Sequence, residues 1–254
     1  MIFIRRLSII PVMNRDYKSL REQAYEANLE IPKRGLAIYT WGNVSAFDSD
    51  TGVFAIKPSG VSYDSLTADS MVVVDLEGRT VWGKLRPSSD TETHRVLYRA
   101  FSGIGGITHT HSTYAVAWAQ AGRGVPVFGT THADHDPDEI PCTALLSEAA
   151  VKGGYELETG SLITGTFRDL GKDPSHFQMV LVAGHGPFAW GADAAMSVYN
   201  AAVLEEICKM AYLTLRINPA ASPLPAYIVS KHWERKHGTA AYYGQIQSPS
   251  APLQ

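Results

Sequence analysis

Hydrophobic positions along the chain alternate between helical spacing and short apolar runs. Leu20, Ala24, Ala27 and Ile31 follow one another at intervals of four, three and four residues, which places them on one face of a helix. Further helices are predicted over residues 91–101, 113–120 and 192–217. The last of these carries an apolar stripe that includes Val203, Ile207, Met210 and Leu213. Apolar runs predict strands over residues 52–56, 71–76, 106–110 and 179–183.

The alternation of helices and strands runs through the chain without a linker rich in Pro, Gly or Ser. It predicts a single α/β domain over residues 1–254, with helices packed on a central β-sheet. Residues 1–14 are expected to form a loose N-terminal extension, with Met13 as an alternative start. The Ser/Pro-rich residues 247–254 are expected to form a disordered tail.

Composition narrows the classes of function. The chain has 254 residues, with 22 Lys and Arg against 25 Asp and Glu, so its formal net charge is −3. This balance offers neither a basic surface for nucleic acid nor a polybasic membrane anchor. No run of about 18 apolar residues predicts a membrane span, and we expect a cytoplasmic protein. Two separated cysteines cannot build a disulfide framework or a thiolate zinc site, so any metal site must rely on the nine histidines.

Three histidines have the spacing of metal ligands. His109 and His111 follow a predicted strand in the order His-Thr-His, and alternate residues of a strand face the same side. Two imidazoles so placed can chelate one Zn²⁺ or a similar ion. His185 follows another buried strand between two glycines and is the candidate third ligand, although such a histidine can also be a simple turn residue. The cupin and metallo-β-lactamase patterns do not fit, since residues 112–116 (STYAV) lack the Glu or Asp-His they require.

Two segments have the chemistry of an anion site. Ser88, Ser89 and Asp90 precede a predicted helix, whose N-terminal amides and the two hydroxyls would suit a phosphate. The alternative is that Ser89 simply caps the helix, because Glu92 follows at capping-box spacing. The second segment, residues 57–60 (KPSG), combines a cation and a hydroxyl beside a glycine, and can also be a plain turn. Together they favour a phosphate pocket.

Seven segments taken together resemble the class II aldolase/epimerase superfamily, and most closely its L-ribulose-5-phosphate 4-epimerase branch. The segments are residues 40–45 (TWGNVS), 56–61 (IKPSGV), 87–91 (PSSDT), 109–112 (HTHS), 129–134 (GTTHAD), 184–191 (GHGPFAWG) and 236–245 (KHGTAAYYGQ). The similarity extends over about residues 21–245. The resemblance implies a three-layer fold, in which helices flank the central sheet on both faces.

The resemblance also implies roles for individual residues. The ligands of one Zn²⁺ per subunit would be His109, His111 and His185, with Asp90 near or on the metal. The substrate and phosphate pocket would be formed by Asn43, Lys57, Ser59, Gly60, Ser88 and Ser89. The acid/base pair would be Asp134 and Tyr243, with His232 near the substrate. We expect burial to raise the pKa of Asp134 and a nearby cation to lower that of Tyr243.

The implied activity is a zinc-dependent epimerase that interconverts L-ribulose 5-phosphate and D-xylulose 5-phosphate. It would cleave the C3–C4 bond by a retro-aldol step, with a metal-stabilised enediolate, and re-form it on the other face of the aldehyde. The implied assembly is a C4 homotetramer, with sites at subunit boundaries and the C-terminal segment reaching a neighbour's site. The main alternative is a class II zinc aldolase that acts on a related sugar phosphate. Asp90 favours the epimerase, because the aldolases usually carry Glu at that position.

Two other classes of function compete with these. A hydrolase could use the three histidines to activate water, but it has no need of the two anion segments. A metal-binding module without catalysis would need neither those segments nor Asp134 and Tyr243. Among the remaining histidines, His94, His135 and His176 are assigned either an exposed or a supporting role, and His132 a supporting one beside the site.

Overall fold

The computed structural model describes residues 16–238 and 241. Its helices are α1 (Lys18–Lys33), α2 (Thr91–Ala100), α3 (Thr113–Gln120), α4 (Thr130–Ala133), α5 (Glu148–Leu170), α6 (Ala194–Ile217) and α7 (Ala226–His237). Its strands are β1 (Asn43–Asp48), β2 (Val53–Ile56), β3 (Val72–Asp75), β4 (Thr80–Trp82), β5 (Gly106–His109), β6 (Met179–Val182) and β7 (Gly186–Gly191). Two short 3₁₀ turns, Tyr63–Ser65 and Ala68–Ser70, connect β2 to β3.

Within the described residues, the strands form one sheet of seven in the order β4-β3-β2-β1-β5-β7-β6. Every neighbouring pair is antiparallel. Helices α1 and α6 pack their apolar side chains on one face of the sheet, while α2 and α5 pack on the other. The predicted α/β fold with helices on both faces is therefore confirmed.

Each strand and helix predicted from the hydrophobic pattern is present, with its ends within about two residues. The pattern missed β1, β4, β7, α4, α5 and α7. Strand β7 has the sequence GPFAWG, whose Pro and Gly argue against a strand, yet all six residues are buried. Helix α5 contains Gly153 and Gly154, and the second of these has a non-helical φ of 149°. Tertiary burial outweighs the weak local preference in both segments.

The predicted apolar stripe of α6 is wrong in part. Ile207 is buried, but Met210 is 40% exposed and Leu213 is 43% exposed. The side of α6 that packs inward instead carries Leu204, Ile207, Cys208 and Ala211. Helix α6 can pack close to the sheet because Gly106 lacks a side chain. A Cβ at Gly106 would lie 2.4 Å from the backbone of Ala194.

Some predictions lie outside the described residues. They concern the N-terminal extension with Met13, the tail over 247–254, and Tyr243. In the part of the chain that the structure describes, no helix combines the length and the apolar character needed to cross a membrane.

Candidate active site

His109, His111 and His185 come together although 74 residues separate the last two in sequence. His109 is the last residue of β5, and His111 follows in the loop before α3. His185 lies in the tight turn that joins β6 to β7, where Gly184 supplies a positive φ of 72°. One ligand nitrogen from each of the three rings lies within 4.8 Å of the others. The β5–β7 pairing thus brings the predicted third ligand to the first two.

The protonation of the three rings suits a cation. His109 donates its Nδ1–H to the carbonyl of Pro187 at 2.9 Å, which leaves a lone pair on Nε2. That Nε2 lies 3.2 Å from Nε2 of His111. Burial lowers the pKa of His111, and it lowers the pKa of His185 to about 3, so both rings are neutral at physiological pH. His185 Nδ1 is buried and has no hydrogen-bond partner in the described chain. The three nitrogens therefore fit a divalent metal ion.

A cavity of about 620 Å³ lies beside the three histidines. Ten of the residues predicted from sequence line it, namely Asn43, Lys57, Ser59, Gly60, Ser88, Ser89, Asp90, His109, His111 and His185. The structure thus joins the metal-ligand motif to both anion segments. This cavity is not the largest depression on the described surface, but it is the one where the titratable and hydroxyl groups converge.

The two predicted anion segments are held together by backbone hydrogen bonds. The amide of Ser88 donates to the carbonyl of Lys57 at 3.0 Å. The amide of Ser59 donates to the carbonyl of Arg86 at 2.9 Å. Gly60 has a φ of 71°, so the turn needs a residue without a side chain. The capping alternative for Ser89 is wrong, because Asp90 is the N-cap residue of α2 and Glu92 pairs with Arg95 instead.

Lys57 is the buried cation of this site. Its side chain is enclosed, with 2% of the residue exposed, and its ammonium donates to the carbonyl of Thr40 at 3.2 Å. Nζ also lies 4.9 Å from the ring centre of Tyr63. Burial lowers the pKa of Lys57 to about 8, because removal from water disfavours its charge. A bound anion would restore that charge.

Asp90 lines the cavity but does not belong to the group of ligand atoms formed by the three histidines. Its carboxylate accepts a hydrogen bond of 2.6 Å from Nδ2 of Asn43, and the same amide lies 3.1 Å from Ser88 Oγ. The structure places Asp90 near the ligands, and its role as a ligand stays a prediction.

Sequence reasoning assigned no role to six other residues that line the cavity, among them Trp41, Tyr155 and Glu156. The Trp41 ring lies 6.1 Å from that of His111, and the Tyr155 ring lies 5.7 Å from that of His185. Tyr155 and Glu156 follow directly on the kink at Gly154 in α5. The Gly-Gly pair was the available signal, since it marks a change in helix direction.

Asp134 and His232 form a separate cluster on α4 and α7. Asp134 accepts hydrogen bonds from Arg235 through Nε at 2.8 Å and through Nη2, and from His232 Nδ1 at 3.0 Å. Burial acts to raise the pKa of Asp134, but the hydrogen bonds from Arg235 and His232 outweigh it, so the pKa is lowered. The expectation of a raised pKa is wrong. Among the described residues that line the cavity, none belongs to this cluster.

The other histidines also have defined environments. His94 is completely buried, which excludes its exposed alternative. His132 is buried and donates from Nε2 to the carbonyl of Asp138 at 3.0 Å, away from the cavity lining. His135 contacts the hydroxyl of Tyr199 at 2.9 Å, and His176 is exposed.

Comparisons with known proteins identify the family of this chain. The sequence model of the family described as Class II Aldolase and Adducin N-terminal domain matches residues 22–212. An L-ribulose-5-phosphate 4-epimerase, UlaF of Salmonella paratyphi B, is 51% identical over 228 residues, which cover 90% of this chain and 99% of the relative. UlaF of Salmonella typhi is 50% identical over the same shares of the two chains.

Solved structures share the fold. An L-fuculose 1-phosphate aldolase superposes with a TM-score of 0.72 at 21% identity, covering 85% of this chain and 95% of the other. The L-fuculose-1-phosphate aldolase of Thermus thermophilus superposes with a TM-score of 0.61 at 24% identity, with coverages of 81% and 98%. The chain is therefore a member of the class II aldolase and adducin N-terminal domain family.

Proposed function

We propose that this protein is an L-ribulose-5-phosphate 4-epimerase, which interconverts L-ribulose 5-phosphate and D-xylulose 5-phosphate. The observation that carries the proposal is that three clustered histidines and two hydrogen-bonded anion segments share one cavity. A sugar phosphate needs both ends of such a site. The named epimerases, similar over 99% of their length, support this substrate over other sugar phosphates. The cytoplasm is the proposed location.

The metal end of the site is assigned to His109, His111 and His185. A divalent cation, which we propose to be one Zn²⁺ per subunit, would act there as a Lewis acid toward charge that develops on substrate oxygens. The hydrogen bond from His109 Nδ1 to the carbonyl of Pro187 orients the ring, and Nε2 would be the atom that holds the ion. Asp90, steadied by Asn43, would lie beside these ligands and face the same substrate oxygens.

The phosphate end is assigned to Ser59, Gly60, Ser88 and Ser89, together with Asn43 and Lys57, which line the same cavity. Hydroxyls and backbone amides at the start of α2 suit a phosphate dianion. Lys57 adds a positive charge where water is largely excluded, which strengthens its attraction for an anion.

Inversion at C4 requires cleavage of a carbon–carbon bond, because C4 is not adjacent to the C2 carbonyl. A base takes the proton of the C4 hydroxyl, the C3–C4 bond breaks, and its electrons pass to the C1–C3 fragment as an enediolate. The C4–C5 fragment becomes glycolaldehyde phosphate. Rotation of this aldehyde and attack by C3 on its other face re-forms the bond, and O4 regains a proton. The phosphate pocket retains the aldehyde while it turns.

Asp134 and Tyr243 are the proposed acid/base pair, with His232 near the substrate. Arg235 and His232 keep Asp134 ionised, so it can accept a proton. Since the Asp134 cluster does not line the cavity of its own chain, the pair would act at a neighbour's cavity. We therefore propose a homotetramer with its sites at subunit boundaries. Tyr243→Phe is expected to lower turnover strongly with zinc content unchanged.

The test is conversion of L-ribulose 5-phosphate by the purified protein in the presence of excess ¹³C-labelled dihydroxyacetone. We expect D-xylulose 5-phosphate without the label, loss of activity with EDTA, and recovery on addition of Zn²⁺. Release of glycolaldehyde phosphate with rapid incorporation of the label would identify an aldolase instead. Activity that is indifferent to metal removal would contradict the proposal.

A further inference from the structure

Two buried polar atoms near Asp90 lack partners in the part of the chain described. They are Nε2 of His94, on α2, and Oδ1 of Asn43, at the start of β1. His94 is wholly inaccessible to water. An N–H donor and a carbonyl acceptor left unpaired in a protein interior are destabilising, so each such atom calls for an explanation.

The other nitrogen of His94 is firmly placed. Nδ1 lies 2.7 Å from Ser45 Oγ, and Ser45 Oγ lies 2.7 Å from the hydroxyl of Tyr98. Burial raises the pKa of Tyr98, so its hydroxyl keeps its proton, which it can donate either to Ser45 Oγ or to the Ser45 carbonyl 3.2 Å away. When Ser45 in turn donates to Nδ1, the single proton of the neutral imidazole resides on Nε2. The arrangement in which Tyr98 donates to Ser45 Oγ thus makes the unpaired nitrogen a donor.

The elements direct this donor toward Asp90. His94 follows Asp90 by one helical turn, and its backbone amide donates to the Asp90 carbonyl at 3.0 Å. Side chains in helices lean toward the N-terminus, which is the direction of Asp90. Asn43 and Ser45 share one face of β1. Asn43 thus reaches Asp90 on the face where Ser45 reaches His94.

Packing also connects His94 to the histidine cluster. Its ring meets Phe188 edge to face, with ring centres 6.2 Å apart. Phe188 stacks on His109 at 4.2 Å with an angle of 16° between the rings. Burial lowers the pKa of His94 to about 3, which agrees with a neutral ring in this position.

We propose that His94 is a positioning residue for Asp90. In the metal-loaded protein its Nε2–H, which is unpaired in the described chain, would donate into the Asn43–Asp90 pair and fix the direction of that carboxylate beside the three histidines. His94 itself touches neither metal nor substrate. The inference rests on the proposed function in so far as Asp90 acts at that site, and it adds a residue that supports the site from the interior.

A matched pair of variants separates the two nitrogens. His94→Gln places an amide near the position of Nε2, whereas His94→Asn places one near Nδ1 and leaves the Nε2 position empty. We expect His94→Asn to weaken zinc binding and to lower kcat by about 10- to 100-fold, the range typical for residues that orient metal-site groups. His94→Gln is expected to recover most of both values. His176→Asn, at an exposed histidine, is the control for the substitution itself.

A double-mutant cycle tests whether His94 acts through Asp90. The zinc dissociation constant is measured by competition with a chromogenic chelator, starting from metal-free protein, for Asp90→Asn, His94→Asn and the double variant. We expect the double variant to resemble Asp90→Asn alone, because the group that His94 orients has been changed. Effects that multiply, or equal losses in the Gln and Asn variants, would overturn the proposal. This readout needs no substrate, so it is independent of the epimerase assay.

A measurement on the wild-type protein remains informative if a variant fails to fold. In ¹H–¹⁵N spectra of the zinc-loaded protein labelled at histidine, we expect His94 as the Nε2–H tautomer, identified by its absence in His94→Gln. The Nδ1–H tautomer would overturn the proposal, because Nε2 would then have no proton to donate.

Discussion

Asn43 lies directly opposite His109 in the pairing of β1 with β5. The same Asn43 side chain donates to Asp90 at the start of α2. The pairing of these two residues therefore fixes the separation between a proposed metal ligand and the residues of the proposed phosphate pocket. The sheet acts as a rigid frame for the site, and most of the following predictions depend on that rigidity.

Metal binding should require all three histidines. For metal-free wild-type protein, addition of Zn²⁺ at about 100 times its dissociation constant is expected to stabilise the fold by about 2.7 kcal/mol and to raise Tm. His185→Ala should show no such rise and no epimerase activity. His176→Ala should behave as wild type. An equal rise of Tm in His185→Ala would show that the ion binds elsewhere.

The buried Lys57 should give activity an upper pH limit. Since burial lowers the pKa of Lys57 to about 8, the ammonium of the free enzyme loses its charge as the pH rises through that value. We expect kcat/KM to fall by about fivefold between pH 8 and pH 9 and by about tenfold for each further pH unit. Lys57→Arg should be less active but should not show this decline, because its guanidinium stays charged. The same decline in both proteins would assign it to another group.

Asp136 should make stability depend on pH. It is 1% exposed, its Oδ1 accepts from the amide of Asp138, and its Oδ2 has no partner among the described residues. Burial raises its pKa from 3.8 to about 7, so the folded state binds a proton that the unfolded state has lost in this range. Stability is therefore lost as the pH rises from about 4 to about 7.

Replacement of Asp136 by Asn should remove this loss. At pH 8 we expect Asp136→Asn to be more stable than wild type by on the order of 2 kcal/mol, and near pH 4 the difference should vanish. Urea denaturation at both pH values measures it. Asp169→Asn, at an exposed carboxylate, is the control and should show little change at either pH. A stability difference for Asp136→Asn that is the same at both pH values would contradict the prediction.

Gly106 should be indispensable to the packing of α6. A Cβ at this position would lie 2.4 Å from Ala194 Cα, so Gly106→Ala forces the helix and β5 apart. We expect a loss of roughly 2–3 kcal/mol in stability and weaker zinc binding, since β5 carries His109. Gly171→Ala is the matched control. It has a φ of 63° but open space around it, and should lose only about 1 kcal/mol with zinc binding unchanged.

Subunit complementation tests the shared site. Asp134→Asn and His185→Ala are each expected to be inactive, one lacking the base and the other the metal. In mixed tetramers formed from equal amounts, a site regains function where an intact cavity meets an intact Asp134 from the neighbour. This occurs at about one quarter of the boundaries in a random C4 mixture. Mixed assemblies as inactive as their parents would contradict the shared site.

The spacing of hydrophobic residues predicted an element correctly where that spacing is regular. The spacing of Leu20, Ala24, Ala27 and Ile31 predicted α1 because a buried helix face needs that period. It failed for β7 and α5, where Pro and Gly obscure the period and burial from the rest of the fold decides the conformation. It also misjudged Met210 and Leu213, whose apolar character alone does not tell which way the helix faces.

The sequence by itself determined the chemistry of the candidate site: three candidate nitrogen ligands, a carboxylate, a cation and a set of hydroxyls in ordered motifs. Only the tertiary structure decided which of these groups meet. It joined His185 to His109 through the β5–β7 pairing, linked the two anion segments, and placed the Asp134 cluster away from the cavity. It also lowered the pKa of Asp134 where sequence had predicted a rise. The reason is that distance, burial and charge between groups far apart in sequence are set by strand pairing and packing, which local preference does not encode.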